Sequence, residues 1–148
     1  MKIRRFRKRD EEEVKKLINK IIIELFNEPI YRWENFENYT IFYVVEKNGK
    51  VIGTAALKDE KNKIVRLKRM YIKRYYRKKG IGTKLLLKIE KFAKNKGFKK
   101  IILSTYKQMK NSYLFYKANG FNIIKKQNDA IFMEKKLWKP KDLKSYHN

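Results

Sequence analysis

The stretch from Ile64 to Ala93 constrains the fold most, because it joins an apolar, β-rich run to an amphipathic run through a turn with two glycines. Glycine removes the side chains that would keep backbone N–H groups away from an anion. A helix that begins at such a turn adds its unpaired N–H donors and the positive end of its dipole. The pattern therefore predicts a strand, a phosphate-binding turn and a helix, with the turn at Arg77-Lys78-Lys79-Gly80-Ile81-Gly82-Thr83.

The two flanks of this turn have different periodicities. From Ile81 onward, apolar residues recur at three- and four-residue intervals with lysines opposite, which is typical of an amphipathic helix. We expect Thr83 to cap this helix and Gly97 to end it. The preceding run, 64–72, alternates apolar and basic residues as a strand does. The alternation is imperfect, so the face on which Arg69 lies is left open.

Two common phosphate motifs do not fit the turn. A P-loop has four residues between its glycines and then Gly-Lys-Ser/Thr, whereas a single residue separates Gly80 from Gly82. A dinucleotide-binding turn has a third glycine, and Leu85 stands in its place. Neither a P-loop nor a dinucleotide fold is therefore expected.

Arg77-x-x-Gly80-x-Gly82 instead resembles the Arg/Gln-x-x-Gly-x-Gly/Ala signature of the GNAT acetyltransferase superfamily, which lies between the fourth strand and third helix of that fold. The run 67–72 resembles the strand along which those enzymes lay the pantetheine arm of coenzyme A. Downstream, the run 111–121 resembles the superfamily element that ends in Tyr-x-x-x-Gly-Phe. Its simpler interpretation is an amphipathic helix with a glycine C-cap, in which Tyr116 only packs.

The order of predicted elements agrees with this resemblance. It is strand, helix, an aromatic and acidic loop or short helix, three strands, helix, strand, short helix and two strands, which favours a mixed sheet with helices on both faces. The resemblance implies an α/β (α+β) fold with a mostly antiparallel sheet of six to seven strands. The predicted boundaries are 2–9, a helix capped by Asp10, 26–40, 41–46, 51–58, 64–72, the central helix, 99–105, 109–118, 121–126 and 130–135.

Length and composition favour a folded intracellular protein. The chain has 148 residues, of which 43% are hydrophobic, so we expect one domain over residues 1–136 and a polar tail over 137–148 that contains Trp138. It has no cysteine, and its single histidine, His147, lies in the tail. Disulfides, a Ser-His-Asp mechanism and a metal site are therefore not expected. We expect no membrane segment, a cytoplasmic location, and a monomer or homodimer.

The net charge of +25 raises the question of a nucleic-acid partner. The basic residues are spread along the chain, so we favour a compositional origin over nucleic acid. Residues 24–60 are the exception, because they carry seven acidic and four basic side chains. We interpret part of this segment as the side that receives the acceptor, since carboxylates with aromatic rings suit an ammonium group. The candidates are Glu28, Tyr31, Trp33 and Glu34; an ordinary acidic loop is the alternative.

The resemblance implies acetyl-CoA as the cofactor and assigns roles to residues of both motifs. Backbone amides from Lys79 to Thr83 hold the pyrophosphate beside Arg77 and Lys78. Backbone groups of Met70, Tyr71 and Ile72 hold the pantetheine arm, with the Ile72 N–H placed for the thioester oxygen. Asn111 reaches the pantetheine or its diphosphate. Tyr116 contacts the coenzyme and is the general acid for its sulfur, since a phenol with a pKa near 10 stays protonated at neutral pH.

The general base is less well defined. Many relatives carry a glutamate where this chain has Arg66, so a simple carboxylate base on that strand is in doubt. Glu46 and Glu37 are candidates that would act through water, and the alternative is that no dedicated base exists. The implied function is acetyl transfer to a primary amine of a small molecule, polyamine, lysine side chain or protein N-terminus. The alternative is an inactive acyl-CoA or nucleic-acid binding module that uses the basic surface of residues 61–148.

Overall fold

The structure is a computed structural model and describes residues 1–137, so the predictions for Trp138, His147 and most of the tail lie outside it. Short 3-10 turns occur at Lys8–Asp10, Phe36–Asn38 and Arg74–Tyr76. The helices and strands are β1 (Lys2–Arg5), α1 (Glu11–Phe26), β2 (Ile41–Lys47), β3 (Lys50–Asp59), β4 (Ile64–Ile72), α2 (Ile81–Asn95), β5 (Lys100–Tyr106), α3 (Lys110–Ala118), β6 (Asn122–Gln127) and β7 (Ala130–Lys136).

The strands form a seven-stranded sheet in the order β1-β2-β3-β4-β5-β7-β6. β1 with β2, β2 with β3, β5 with β7 and β6 with β7 pair antiparallel, whereas β4 and β5 pair parallel. The predicted mixed and mostly antiparallel sheet is thus confirmed. Among residues 1–137, none of the helices has the length and hydropathy needed to cross a membrane.

The chain forms two compact units. The first contains Met1–Lys58 and Leu67–Ile89, and the second contains Asp59–Arg66 and the described residues from Glu90 to Leu137. The domain boundaries expected from the sequence, 1–136 and 137–148, stay a prediction.

The core of the first unit forms around the apolar stripe of α1. Val14, Leu17, Ile18 and Ile21 are buried, as the helical periodicity predicts. Burying each such side chain contributes about 1.5 to 3 kcal/mol. They pack with residues from the segment 26–40, which we call the aromatic segment, and from β2 and β3. These residues are Phe36, Tyr39, Phe42, Val44, Val51 and Ala56.

Asp10 does not cap α1, contrary to the sequence-based expectation. Its backbone is already helical, with φ −81° and ψ −13°, and its side chain accepts no hydrogen bond from the helix. The carboxylate accepts from the Arg7 N–H at 2.7 Å and from the Arg4 guanidinium through two bonds of 2.9 Å. These hydrogen bonds, chiefly those from Arg4, hold the pKa of Asp10 below its usual range. The residue therefore ties α1 to β1 through a buried ion pair.

Two predicted boundaries change for local reasons. β1 ends at Arg5 because the chain turns at Lys8–Asp10. α2 begins at Ile81, so Thr83 lies inside the helix and is not its cap. The hairpin at Asn48-Gly49 is confirmed, with φ values of 52° and 75° that match a tight turn of this kind.

The second unit is built on β5, β7 and β6. Strand β7 pairs along its length with β5, from Lys100 opposite Lys136 to Tyr106 opposite Ala130. The buried side chains of the second unit include Ile101, Leu103, Phe121, Ile131 and Met133.

Candidate active site

Strand β4 changes its backbone conformation three residues before its end. Val65 and Leu67 are buried, as expected for alternate positions, but Arg69 has a φ of 55°, which is the left-handed region. The hydroxyl of Thr54 holds this bend by donating to the Arg69 carbonyl at 2.6 Å. A non-glycine residue in this conformation costs about 1 to 3 kcal/mol and is often found at functional sites. The bend explains why the alternation of β4 is imperfect.

Gly53 on β3 leaves room for the end of β4. A Cβ atom at this position would lie 2.7 Å from the Ile72 Cδ1 atom and 3.3 Å from the Tyr71 carbonyl oxygen. It would also lie 3.3 Å from Val45 Cγ2. A side chain at Gly53 would therefore move the Ile72 side chain and crowd the Tyr71 carbonyl, both in the segment to which the resemblance assigns the pantetheine arm. A glycine inside a β-rich run is the sequence signal for such a close approach.

Gly53→Ala should lower the free energy of unfolding by about 1 to 3 kcal/mol, because the added methyl group overpacks the Ile72 side chain and the Tyr71 carbonyl. We also expect weaker binding of acetyl-CoA. Urea unfolding and titration calorimetry measure the two effects. Gly49→Asn is the control, since Gly49 has open space around it and asparagine tolerates its φ of 75°. Unchanged stability and affinity in Gly53→Ala would contradict this role of the glycine.

The turn after β4 is fastened to the end of the strand. The Lys73 N–H donates to the Ile52 carbonyl at 2.8 Å, and the Arg77 Nε donates to the Ile72 carbonyl at 2.8 Å. Lys78 then has a φ of 61° and Gly80 a φ of 82°. The Arg77 side chain, expected near the pyrophosphate, thus closes the turn against the strand.

Helix α2 begins directly after this turn, and its first backbone amides have no carbonyl partner within the helix. The Lys84 N–H donates to the Gly80 carbonyl at 3.1 Å. The amides of Ile81, Gly82 and Thr83 precede this bond, as at every helix N-terminus. A Cβ atom at Gly80 would meet nothing within 4 Å, so the space beside this glycine is open. These features fit a pyrophosphate group, which needs several backbone donors and no obstructing side chain.

Arg66 occupies the β4 position at which the resemblance leads us to expect a glutamate. Its Nε donates to Glu60 at 2.7 Å and its Nη1 to the Ser104 hydroxyl at 3.2 Å. The side chain is therefore held in an ion pair and supplies no carboxylate base. The ladder between β4 and β5 also ends here, with Arg66 opposite Ile102.

The two carboxylates expected to act as base have different surroundings. Glu46 accepts from the Arg4 guanidinium at 3.3 Å and shares that cation with Asp10. Glu37 is exposed on the turn Phe36–Asn38, and its backbone N–H donates to the Asn35 side chain at 3.1 Å. Glu46 is thus charge-paired, whereas Glu37 faces solvent.

The aromatic and acidic segment is surrounded by the protein's own cations. Trp33 is half-buried, and the Arg69 guanidinium lies 5.1 Å and the Lys15 Nζ 5.8 Å from its ring centroid. The Glu34 carboxylate accepts hydrogen bonds from both Lys58 and Lys68. These bonds lower the pKa of Glu34 from 4.5 to about 2. By contrast, Tyr31 is 76% exposed and Glu28 is exposed.

Glu34→Gln should destabilise the protein at pH 7 by about 1 to 2 kcal/mol, since partial exposure screens part of the ion pairing. The folded pKa lies below 4.5, so this stabilisation is complete above pH 4.5 and is lost as the pH falls to about 2. Urea unfolding at pH 7 and pH 2.5 should show the difference from wild type shrinking in acid. Glu37→Gln, an exposed neighbour, is the control. A pH-independent difference would contradict the ion-pair explanation.

Helix α3 carries the second motif. Asn111 is exposed in its first turn, and Tyr116 is buried, with an exposure of 8%. The Tyr116 ring lies 5.5 Å from the Phe115 ring and 5.6 Å from the Phe121 ring. Gly120 has a φ of 92°, so the expected glycine end of this helix is confirmed. The packing of Tyr116 fixes its ring without deciding the role of its hydroxyl.

Comparison with known proteins identifies the family. Residues 9–121 match the acetyltransferase (GNAT) family. A spermidine N(1)-acetyltransferase of Thermoplasma acidophilum is 34% identical over 113 residues, which cover 76% of this chain and 68% of that protein. A probable N-acetyltransferase 14 of Xenopus tropicalis is 34% identical over 64% of this chain. The chain spans about half of that relative, 46% of its length.

Solved structures agree with this family. An acetyltransferase of the GNAT family from Staphylococcus aureus Mu50 superposes with a TM-score of 0.85 and 28% identity, covering 93% of this chain and 99% of that one. The PaiA N-acetyltransferase of Thermoplasma acidophilum, solved in complex with coenzyme A, superposes with a TM-score of 0.78 and 25% identity, covering 91% and 98%. The chain therefore belongs to the acetyltransferase (GNAT) family, whose N-acetyltransferases take their acetyl group from acetyl-CoA.

Proposed function

We propose that this protein transfers the acetyl group of acetyl-CoA to a primary amine by direct attack on the thioester. The nitrogen–carbon bond forms as the carbon–sulfur bond breaks, the amine loses a proton and the departing sulfur gains one. The observation that carries the proposal is the turn at Gly80, where the first amides of α2 precede the helical hydrogen bonds and a Cβ atom at Gly80 would meet no atom within 4 Å. Bound coenzyme supplies the activated acetyl group, and the chain's residues orient it.

The residues proposed to hold the coenzyme belong to the end of β4 and the start of α2. The amides from Lys79 to Thr83 would bind the pyrophosphate, with Lys78 adding charge and Arg77 holding the turn in place. Backbone groups of Met70, Tyr71 and Ile72 would bind the pantetheine arm as a neighbouring strand is bound. The Ile72 N–H would stabilise the negative charge that develops on the thioester oxygen.

The proposed proton donor is Tyr116. Its motif supports this role, and burial of its ring between Phe115 and Phe121 would keep the hydroxyl in one position. A neutral phenol can protonate a departing thiolate at pH 7. Asn111 would contact the pantetheine or diphosphate.

We propose that the amine loses its proton to water, and that the carboxylate nearest to it assists. Arg66 supplies no base because a guanidinium stays protonated at neutral pH. Of the two candidate carboxylates, we favour Glu37 as the group that assists, because it is exposed to solvent. Glu46 is already paired with the Arg4 guanidinium.

The test is an assay of acetyl-CoA consumption with a panel of primary amines, with products identified by mass spectrometry. The panel contains spermidine, amino acids and their carboxamides, and a lysine-containing peptide. We expect at least one amine to gain a single acetyl group with release of one free thiol. Binding of acetyl-CoA without acetylation of any amine would favour an inactive acyl-CoA binding module. Salt-dependent binding of nucleic acid alone would favour the basic surface as the functional feature.

A further inference from the structure

We propose that the acceptor amine carries an anionic group, a carboxylate or a phosphate, and that Arg69 binds it. The inference rests on the proposed function and narrows its substrate class. It departs from the cationic acceptor that the acidic composition of residues 24–60 suggests, because the folded segment has a different local charge.

The position of Arg69 is the first argument. It lies on β4 directly before Met70, Tyr71 and Ile72, the residues proposed to hold the pantetheine arm. Its backbone is in the left-handed region and is fixed by the Thr54 hydroxyl. A strained backbone next to a reacting group persists only where the surrounding structure holds it. The Arg69 side chain therefore leaves the strand at a fixed place beside the acetyl-transfer segment.

The guanidinium of Arg69 is held in place while most of its donors stay unused. Its Nε donates to the hydroxyl of Tyr39, a residue that is 7% exposed, at 3.1 Å, and its Cζ atom lies 5.1 Å from the centroid of the Trp33 ring. Within residues 1–137, its two terminal nitrogens have no hydrogen-bond acceptor. These nitrogens form the fork that binds a carboxylate or phosphate through two parallel bonds. Arg69 is thus a preorganised anion receptor.

The charges around Arg69 support an anionic ligand. Lys58 and Lys68 both form ion pairs with the single carboxylate of Glu34. Lys15, which also lies near Trp33, is 3.8 Å from the carboxylate of Glu11. Counting Arg69, this group holds four cations and two carboxylates. A positive potential attracts anionic amines and repels polyamines.

The experiment compares matched amines that differ in one charge. The pairs are methionine with methioninamide and phosphoethanolamine with ethanolamine, and spermidine represents polyamines. We expect kcat/KM of wild type to favour the anionic member of at least one pair about 10- to 100-fold, as for a charge-assisted bidentate contact. The pair that shows the preference distinguishes a carboxylate from a phosphate ligand.

Arg69→Asn removes the guanidinium while asparagine tolerates the left-handed backbone. We expect it to lower kcat/KM for the preferred anionic amine about 10- to 100-fold and to leave the neutral partner and acetyl-CoA affinity nearly unchanged. Lys61→Asn is the matched control, because Lys61 is an exposed lysine with a φ of 70°. Lys61→Asn removes one positive charge, as Arg69→Asn does, from a residue whose backbone is also in the left-handed region but which lies in a turn.

Three results would overturn the inference. One is acetylation of spermidine and the neutral amines in preference to the anionic ones. Another is an equal loss for both members of a pair in Arg69→Asn, or a loss of acetyl-CoA affinity, which would make Arg69 a structural or coenzyme-binding residue. The third, no acetylation of any amine, would overturn the proposed function and this inference with it.

Discussion

We expect Tyr116→Phe to lower kcat by about 100-fold or more with little change in KM for acetyl-CoA, because the variant would lack the proposed proton donor for the departing thiolate. The ring contacts with Phe115 and Phe121 are retained, so the helix should keep its packing. Steady-state kinetics with a saturating amine measures the change. Without the proton donor, the rate should depend more strongly on the pKa of the leaving thiol, so a more acidic thiol leaving group should restore part of the lost rate.

Tyr113→Phe is the control for this experiment. Tyr113 lies on the same helix, α3, and the Lys117 Nζ is 5.9 Å from its ring centroid. We expect its kcat to stay within about twofold of wild type, because Tyr113 has no proposed role in proton transfer. A tenfold change in kcat would correspond to about 1.4 kcal/mol in the activation free energy. An unchanged kcat in Tyr116→Phe would show that Tyr116 packs against its neighbours and does not donate the proton.

Gly80→Glu should weaken acetyl-CoA binding by more than about 100-fold, since the new carboxylate would enter the open space beside this glycine and repel the pyrophosphate. The φ of 82° also disfavours a side chain at this position. Titration calorimetry measures the affinity, and urea unfolding measures the cost in stability.

Gly97→Glu separates these two effects. Gly97 has a φ of 86° and no atom within 4 Å of a Cβ at its position, but it follows the other end of α2. We expect the same order of destabilisation, about 1 kcal/mol, in both variants. Only Gly80→Glu should lose acetyl-CoA binding. Equal affinities in the two variants would show that the turn at Gly80 does not face the coenzyme.

Much of the fold follows from local sequence patterns. The bounds of β4 agree with those predicted, and Gly97 ends α2 as expected. The hairpin at Asn48-Gly49 and the helix end at Gly120 have the positive φ values that these residue types allow. Periodicity and turn chemistry act over a few residues, so one sequence suffices to find them.

The features missed in the candidate site depend on contacts between distant residues. Glu34 is paired with Lys58 and Lys68, which lie 24 and 34 residues further along the chain. Its segment is acidic in sequence, yet its folded neighbourhood is not. The bend at Arg69 depends on the Thr54 hydroxyl from the neighbouring strand. No local pattern records these partners, because the fold brings them together.

The coenzyme side of the candidate site was easier to predict from the sequence than the acceptor side, because it depends less on contacts between distant residues. The turn from Arg77 to Thr83 is continuous in sequence, and its function depends on backbone groups. The acceptor surface is assembled from α1, the aromatic segment, β3 and β4, so its charge is known only after folding.

The most direct test of the coenzyme site is a calorimetric comparison of acetyl-CoA with S-acetylpantetheine, which has the same thioester and arm but lacks the pyrophosphate and the adenosine 3′-phosphate beyond it. If the amides at the start of α2 bind the pyrophosphate, acetyl-CoA should bind in the micromolar range and at least about 100-fold more tightly than the fragment. Equal affinities, or no binding of acetyl-CoA at millimolar concentration, would contradict the assignment of this turn.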